Sequence, residues 1–168
     1  MTTALTLSDI RIRRELRPGD LGYIAHLHGQ LYARECGYGL AFEGYVLASL
    51  HEFAVRYDPA KDAVWICEHG DRMVGFLVGV HRVEAVQLRY FIFQPDYRGL
   101  GLGKELMREF LAFMHEKQYR RAYLLTTREQ TAAVALYTRF GFQLVEEENA
   151  VAFDQEILEQ RYELLLVA

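Results

Sequence analysis

Two groups of residues in this 168-residue chain have the types and spacing to do chemistry. One is the run Arg98-Gly99-Leu100-Gly101-Leu102-Gly103, and the other is Tyr137 with Gly141 four residues on. Glycines at 99, 101 and 103 let the backbone come close to a ligand and adopt dihedrals barred to other residues, so successive N–H groups can converge on one anion. A helix beginning in such a turn adds unpaired N–H donors and the positive end of its dipole. The chemistry implied is the holding of a phosphate. Two other glycine loops fit poorly. A nucleotide P-loop requires Gly-Lys followed by Ser or Thr, but Gly103-Lys104 precedes Glu105, and Arg98 stands where the first glycine belongs. A dinucleotide loop has two residues between its last glycines, whereas Gly101 and Gly103 have one, and the next strand ends in Thr126-Thr127 rather than an acid for a ribose.

What remains, Arg98-x-x-Gly101-x-Gly103 followed by Leu136-Tyr137-x-x-x-Gly141-Phe142, resembles the GNAT superfamily of acyl-CoA N-acyltransferases. The resemblance implies a single-domain α/β fold with a mixed, mostly antiparallel central sheet flanked by helices, its core spanning about 9–168. It implies acetyl-CoA as cosubstrate and no metal. Arg98 and Gly99, with the amides of Leu100, Gly101, Leu102, Gly103 and Lys104, would hold the pyrophosphate. Ile92 and Phe93, ending a strand, would pair with the pantetheine arm, and a backbone N–H near Phe93 would hold the oxyanion. Many family members bond the pantetheine with an Asn near the start of the last helix; this chain offers Thr127, Arg128 or Gln130, of which Gln130 is the substitute.

A wider resemblance, to the acetyltransferase half of MarR-type fusion proteins, is carried by Arg17-Pro18-Gly19-Asp20-Leu21-Gly22, His26 to Gly29, Leu31 to Glu35, Tyr57-Asp58-Pro59-Ala60, Trp65-Ile66 and Gly141 to Glu148. The residues before Ile10 are too few for a winged helix, so DNA binding is not carried over.

In the implied reaction an amine loses a proton and attacks a thioester, and a thiolate departs. The family mechanism gives Tyr137 to the departing sulfur. A phenol titrates near 10 and a thiol near 8.5, so full proton transfer is uphill by about 2 kcal/mol, and Tyr137 is expected to act chiefly as a hydrogen-bond donor. For the base, Glu35, Glu68 and Glu84 are available; Glu35 is favoured because it adjoins the unusual turn Gly37-Tyr38-Gly39. His26, His28, Tyr32 and Tyr38 border the region where this fold keeps its acceptor. Arg89, on an otherwise apolar strand, either pairs with a substrate carboxylate or, alternating with Leu88 and Tyr90, faces solvent. The leading reading is therefore an enzyme acetylating a small-molecule amine. A non-catalytic acyl-CoA sensor and a protein or peptide N-acetyltransferase are the alternatives, and a homodimer is left open.

Composition sets bounds on this reading. The chain is 51% hydrophobic, enough for one packed domain, and its net charge of −4 argues against a general nucleic-acid binder. The opening Met1-Thr2-Thr3-Ala4-Leu5 carries no basic leader, and no run approaches the roughly 18–20 apolar residues of a membrane span, so a cytoplasmic protein without a membrane partner is expected. Cys36 and Cys67 lack metal or disulfide spacing and read as small buried hydrophobes. Basic residues prevail between Arg98 and Arg121 and acidic ones after Gly141, which suggests a central anionic cofactor and a cationic substrate near an acidic flank, or simply a solvated surface.

The elements that must position these residues follow from periodicity. Strands are predicted at 10–13, 63–68, 73–80, 86–93, 122–127, 142–147 and 162–167, with helices at 21–36, 42–57, 102–117 and 131–140. Leu106, Phe110, Phe113 and Met114 form the apolar stripe of the third helix, and Gly141 is placed to end the fourth.

Overall fold

A computed structural model describes residues 4–167; residues 1–3, part of the opening segment searched for a leader, lie outside them. Strand β1 (Arg11–Arg13) is followed by helices α1 (Asp20–Cys36) and α2 (Leu40–Arg56). Next come β2 (Ala63–His69), β3 (Arg72–Arg82) and β4 (Ala85–Phe93). Helix α3 (Leu102–Glu116), β5 (Arg121–Thr127), α4 (Thr131–Arg139), β6 (Gln143–Ala152) and β7 (Gln155–Leu165) complete the chain. The strands form one seven-stranded sheet in the order β1-β2-β3-β4-β5-β7-β6. Within it β4 and β5 pair in parallel and the other neighbours are antiparallel.

Each face of the sheet has its own core. Leu106, Phe110, Phe113 and Met114 of α3 pack on Trp65, Leu77, Val86 and Leu124, as the predicted stripe requires. Ile24, Leu27 and Leu31 of α1, with Phe42, Val46 and Phe53 of α2, cover Ile66, Phe76, Val78 and Ile92 on the opposite face. Gly37 ends α1 in the left-handed conformation (φ 71°), donating to the carbonyls of Ala33 and Tyr32. No described helix is long and apolar enough to cross a membrane.

The last two strands are longer than periodicity indicates. β6 and β7 are joined by Phe153 and Asp154, both at positive φ (56° and 60°), the backbone of a tight two-residue hairpin turn without the usual Asn-Gly. Their acid-rich stretches are weak strand formers; pairing along the hairpin overrides that preference. Because β6 is the outer strand, its exposed Glu146, Glu147 and Glu148 guard an open edge, which gives the acidic segment a structural use.

At the other end of the sheet, Arg13 (8% exposed) joins β1, β2 and the start of α1. Its guanidinium donates to Asp20 Oδ2 (2.8 Å) and Oδ1 (3.0 Å) and to Glu68 Oε1 (2.8 Å), and also to the Glu15 carbonyl. Asp20 also takes the Arg17 N–H at 2.7 Å, so its carboxylate faces back into this network, and Gly19 (φ 95°) precedes the helix at the N-cap position. Burial alone would raise the Glu68 carboxyl, yet hydrogen bonds from Arg11 and Arg13 hold it below the ordinary range. Cys67 is fully buried as expected; Cys36 is only partly so, and Gln130 Nε2 approaches its sulfur at 3.5 Å.

Candidate active site

β4 and β5 pair only at Val86↔Ala122 and Gln87↔Tyr123, then part. Beyond that point β4 keeps β3 as a neighbour, and Gln94 N–H donates to Val74 O at 2.8 Å. Strand alternation therefore turns the N–H groups of Phe91 and Phe93 toward the open side. Gly75, opposite Phe93, has no side chain because a Cβ there would overlap the Phe93 ring.

The partner register skips within β4: Phe76 faces Ile92 and Val78 faces Arg89, so Tyr90 and Phe91 together oppose Leu77. Tyr90 lies at φ 56°, as a bulge residue does. The extra residue breaks alternation. Leu88 belongs to the α3-side core, but Tyr90 packs with the α1–α2 core, and the Arg89 guanidinium lies over the Tyr90 ring at 4.9 Å. Arg89 thus does not simply alternate out to solvent; it lines a cavity and donates to Tyr45 Oη at 3.3 Å.

Two cavities adjoin where the strands part. One, of about 390 Å³, is lined by Ile92, Phe93, Arg98, Gly99, Gly101, Leu102, Gly103 and the first turn of α4. The other, of about 190 Å³, is lined by residues 87–91 of β4, residues 124–127 of β5, Tyr137, and rings from α1, α2 and the β6–β7 turn. Tyr32, Phe91, Gln130 and Ala133 border both. Of the residues expected at a cofactor, Leu100 and Lys104 do not line the first cavity; Leu100 packs on the core and Lys104 is exposed.

The first cavity is a cradle. Gly99 (φ 80°) and Gly101 (φ 91°) adopt dihedrals that favour glycine, and a Cβ at either would meet nothing within 4 Å, so open space lies over the turn. Helix α3 starts at Leu102 with no side-chain cap, leaving its first N–H groups free for an anion. Gly103 sits where a Cβ would approach Leu136 Cδ2 at 3.0 Å, which seats α4 against α3.

Glu35 lies on this cradle side. It accepts from Arg98 Nη1 at 2.6 Å and lines the first cavity, not the second. Glu68 is engaged by Arg11 and Arg13, and Glu84 is exposed in the β3–β4 turn. The expected trio of acids is thus absent from the second cavity, whose carboxylate among the described residues is Glu159 of β7. Sequence reasoning missed Glu159, Tyr45 and Phe153. Their signal is weak, since Glu159 falls in a stretch without clear alternation and Phe153 in an atypical turn. Of the acids after Gly141, Glu163 is taken by Arg121 and Arg161, so Glu159 is what survives of the acidic flank at this cavity.

His28, Tyr32 and Tyr38 line the second cavity, whereas His26 does not. Tyr32 stacks between His28 and Tyr38, with centroids at 5.8 and 5.9 Å. Tyr137 is 5% exposed and packs on Phe91 and Phe142. Its burial, with the neighbouring Tyr32, pushes the phenol well above its ordinary value.

Burial pushes His28 down to about 4, with Arg89 adding to the effect, while its Nδ1–H donates to Ile24 O at 2.8 Å. Between pH 6.5 and 4 the unfolded chain binds a proton at this position that the folded chain refuses, so stability falls as pH drops through that window. His28→Phe is expected to flatten the slope. In urea unfolding at pH 7 and pH 5 the wild type should lose about 2 kcal/mol more than the variant does; equal losses would contradict this account. Among the described residues no group of three or more His, Cys, Asp or Glu is placed to hold a metal ion.

A family model described as Acetyltransferase (GNAT) family matches residues 30–142. The N-acetyltransferase YjgM of Escherichia coli K12 is 32% identical over 143 residues, covering 80% of this chain and 83% of that protein. N-acetyltransferase family 8 member 2 of Rattus norvegicus is 29% identical over 102 residues, 57% of this chain but 45% of that protein, so the chain spans less than half of that relative. Among solved structures, an acetyltransferase from Streptococcus agalactiae 2603 superposes with a TM-score of 0.75 at 20% identity, covering 94% of this chain and 99% of that one. A spermidine N-acetyltransferase from Vibrio cholerae, in complex with CoA and spermine, does so with a TM-score of 0.68 at 18% identity, covering 94% and 96%. The last two likenesses are of fold.

Proposed function

The chain belongs to the acetyltransferase (GNAT) family, and on that premise we propose that it moves an acetyl group from acetyl-CoA to a primary amine of a small molecule by direct attack. The observation that carries this reading is the pair of adjoining cavities at the parting of β4 and β5, one ending in an anion cradle and the other walled by aromatic and polar side chains. Within the family we place the chain beside the acetyltransferase halves of MarR-type fusions, on the strength of the Arg17 to Gly22 and Tyr57 to Ala60 runs.

The open space over Gly99 and Gly101 suits a diphosphate, which the free amides of the turn and of the α3 terminus would bind. Bound there, acetyl-CoA supplies an acetyl thioester, an activated acyl group with a good leaving group. Arg98 would exchange Glu35 for the diphosphate, since both side chains are more than two-fifths exposed and their pairing is weak. Gln130, bordering both cavities at the start of α4, would orient the arm between them. The outward N–H of Phe93 would hold the thioester oxygen, and the protonated phenol of Tyr137 would hydrogen-bond the departing sulfur. Glu159, facing the acceptor cavity, replaces Glu35 as our assignment for the group that takes the amine proton.

The test is free-thiol release from acetyl-CoA over a panel of small amines and short peptides. Small amines are expected to turn over faster than peptides; faster peptide turnover, or no turnover with any acceptor, would reject the reading. Gly101→Ala puts a side chain at φ 91°, where an L-residue costs roughly 1–2 kcal/mol. Relief of that strain should misalign the amides and raise the KM for acetyl-CoA by about tenfold, and an unaltered KM would remove the turn from the cofactor site.

A further inference from the structure

The acceptor cavity contains one guanidinium and one carboxylate among the described residues, and they are not paired with each other. Among the described residues Arg89 has a single hydrogen bond, to Tyr45 Oη at 3.3 Å, and otherwise rests on the Tyr90 ring. Four of its five N–H donors are therefore open to a ligand. Alternation after Leu88 puts Arg89 on the α1–α2 face, and the bulge, at a local backbone conformation (φ 56°) that non-glycine residues rarely adopt, brings the Tyr90 ring onto that same face beside it. The adjacent Tyr90 is itself fixed, its hydroxyl bonded to Ser49 Oγ at 2.5 Å.

The remainder of the wall is largely apolar and aromatic. Phe153 packs on Tyr38, Phe42 and Tyr45 with centroids 5.0–5.3 Å apart. In such surroundings a fork of N–H donors best matches a carboxylate, which it can grip through two parallel bonds. His28 beside it stays neutral at physiological pH, so it does not compete for the anion. A polyamine, by contrast, would bring several positive charges to a wall whose one carboxylate, Glu159, is already balanced by the Arg89 guanidinium.

From this arrangement we infer that the acceptor is an amine that also bears a carboxylate and an apolar or aromatic body, an amino-acid-like molecule whose carboxylate is held by Arg89. The inference rests on the acetyl-transfer reading above and narrows its substrate class. The amine nitrogen forms the new N–C bond as the C–S bond of the thioester breaks. The amine proton passes to Glu159 or water, the sulfur leaves with the bonding pair as a thiolate, and a proton returned through water gives the free thiol. Arg89 is a specificity residue in this scheme and takes no proton.

The experiment compares matched acceptors in the thiol-release assay: L-phenylalanine against phenethylamine, L-leucine against isoamylamine, and spermidine as the polycation. Each amino acid is expected to exceed its decarboxylated partner in kcat/KM by about tenfold or more, and spermidine to rank below both amino acids. Arg89→Gln should collapse the amino-acid-to-amine ratio toward one, and Arg89→Lys should restore part of it, with circular dichroism verifying the fold of each variant. A wild-type ratio near one, spermidine as the best acceptor, or an Arg89→Gln effect that strikes both partners alike would overturn the inference while leaving acetyl transfer intact. A complete lack of thiol release across all amines and peptides, despite acetyl-CoA binding that Gly101→Ala weakens, would instead defeat the acetyl-transfer reading and this inference with it.

Discussion

Tyr137→Phe is expected to lower kcat about 100-fold, while the KM for acetyl-CoA stays within about twofold. The substitution keeps the ring, and with it the contacts to Phe91 and Phe142, so the loss isolates the hydroxyl. The structure also sharpens what that hydroxyl does. Proton transfer from an ordinary phenol to a free thiolate is already uphill by about 2 kcal/mol, and burial of Tyr137 widens the gap by raising its phenol further. A hydrogen bond that strengthens as sulfur gains charge is then the efficient contribution, and a bond to a charged group is worth about 1.5–3 kcal/mol. The same burial predicts a pH signature. The Tyr137-dependent part of kcat should persist through pH 10, where an unperturbed phenol is about half ionised. A variant retaining more than a third of wild-type kcat, or a Tyr137-dependent loss below pH 9, would defeat the assignment.

The largest effect on stability is expected at Arg13, which lines neither cavity. Arg13→Leu should lower the unfolding free energy at pH 7 by about 3–5 kcal/mol, because it leaves Asp20 without its bidentate partner and Glu68 with only the more exposed Arg11. Asp20 and Glu68 are 7% and 9% exposed, so water can replace little of what the guanidinium supplies. Urea unfolding measures this directly, and a loss below 1 kcal/mol would mean that the network contributes little beyond an exposed pair. Combining Arg13→Leu with Asp20→Asn and Glu68→Gln should recover part of the loss by removing the unpaired charges, a result that a simple packing defect would not produce.

The elements of the fold were largely legible in the sequence. The stripe of α3, the left-handed stop at Gly141 (φ 95°) and the strands β2 and β3 depend on periodicity and on dihedrals that few residues tolerate, and both are short-range properties. The hairpin of β6 and β7 was only half visible, because Glu146 to Asn149 and Gln155 to Glu156 have poor strand propensity and are held extended by each other.

For the candidate site the division is similar. The cradle from Arg98 to Gly103 was readable because its geometry is written in its own glycines, and Tyr137 because a fixed spacing links it to Gly141. Which acid faces the acceptor cavity was not. Glu35 is adjacent in sequence to a suggestive turn yet is captured by Arg98, 63 positions away, while Glu159 arrives from β7, the last strand of the chain. The seat of Arg89 on the Tyr90 ring likewise depends on one extra residue in β4 relative to β3, a mismatch that only the pairing of the two strands creates. The sequence by itself therefore determined the local devices, the anion-holding turn, the helix faces and the tyrosine at the end of α4. The tertiary structure alone decided where β4 leaves β5 and which side chains meet in the gap, since a cavity is built by contacts among distant segments and no short-range pattern records it.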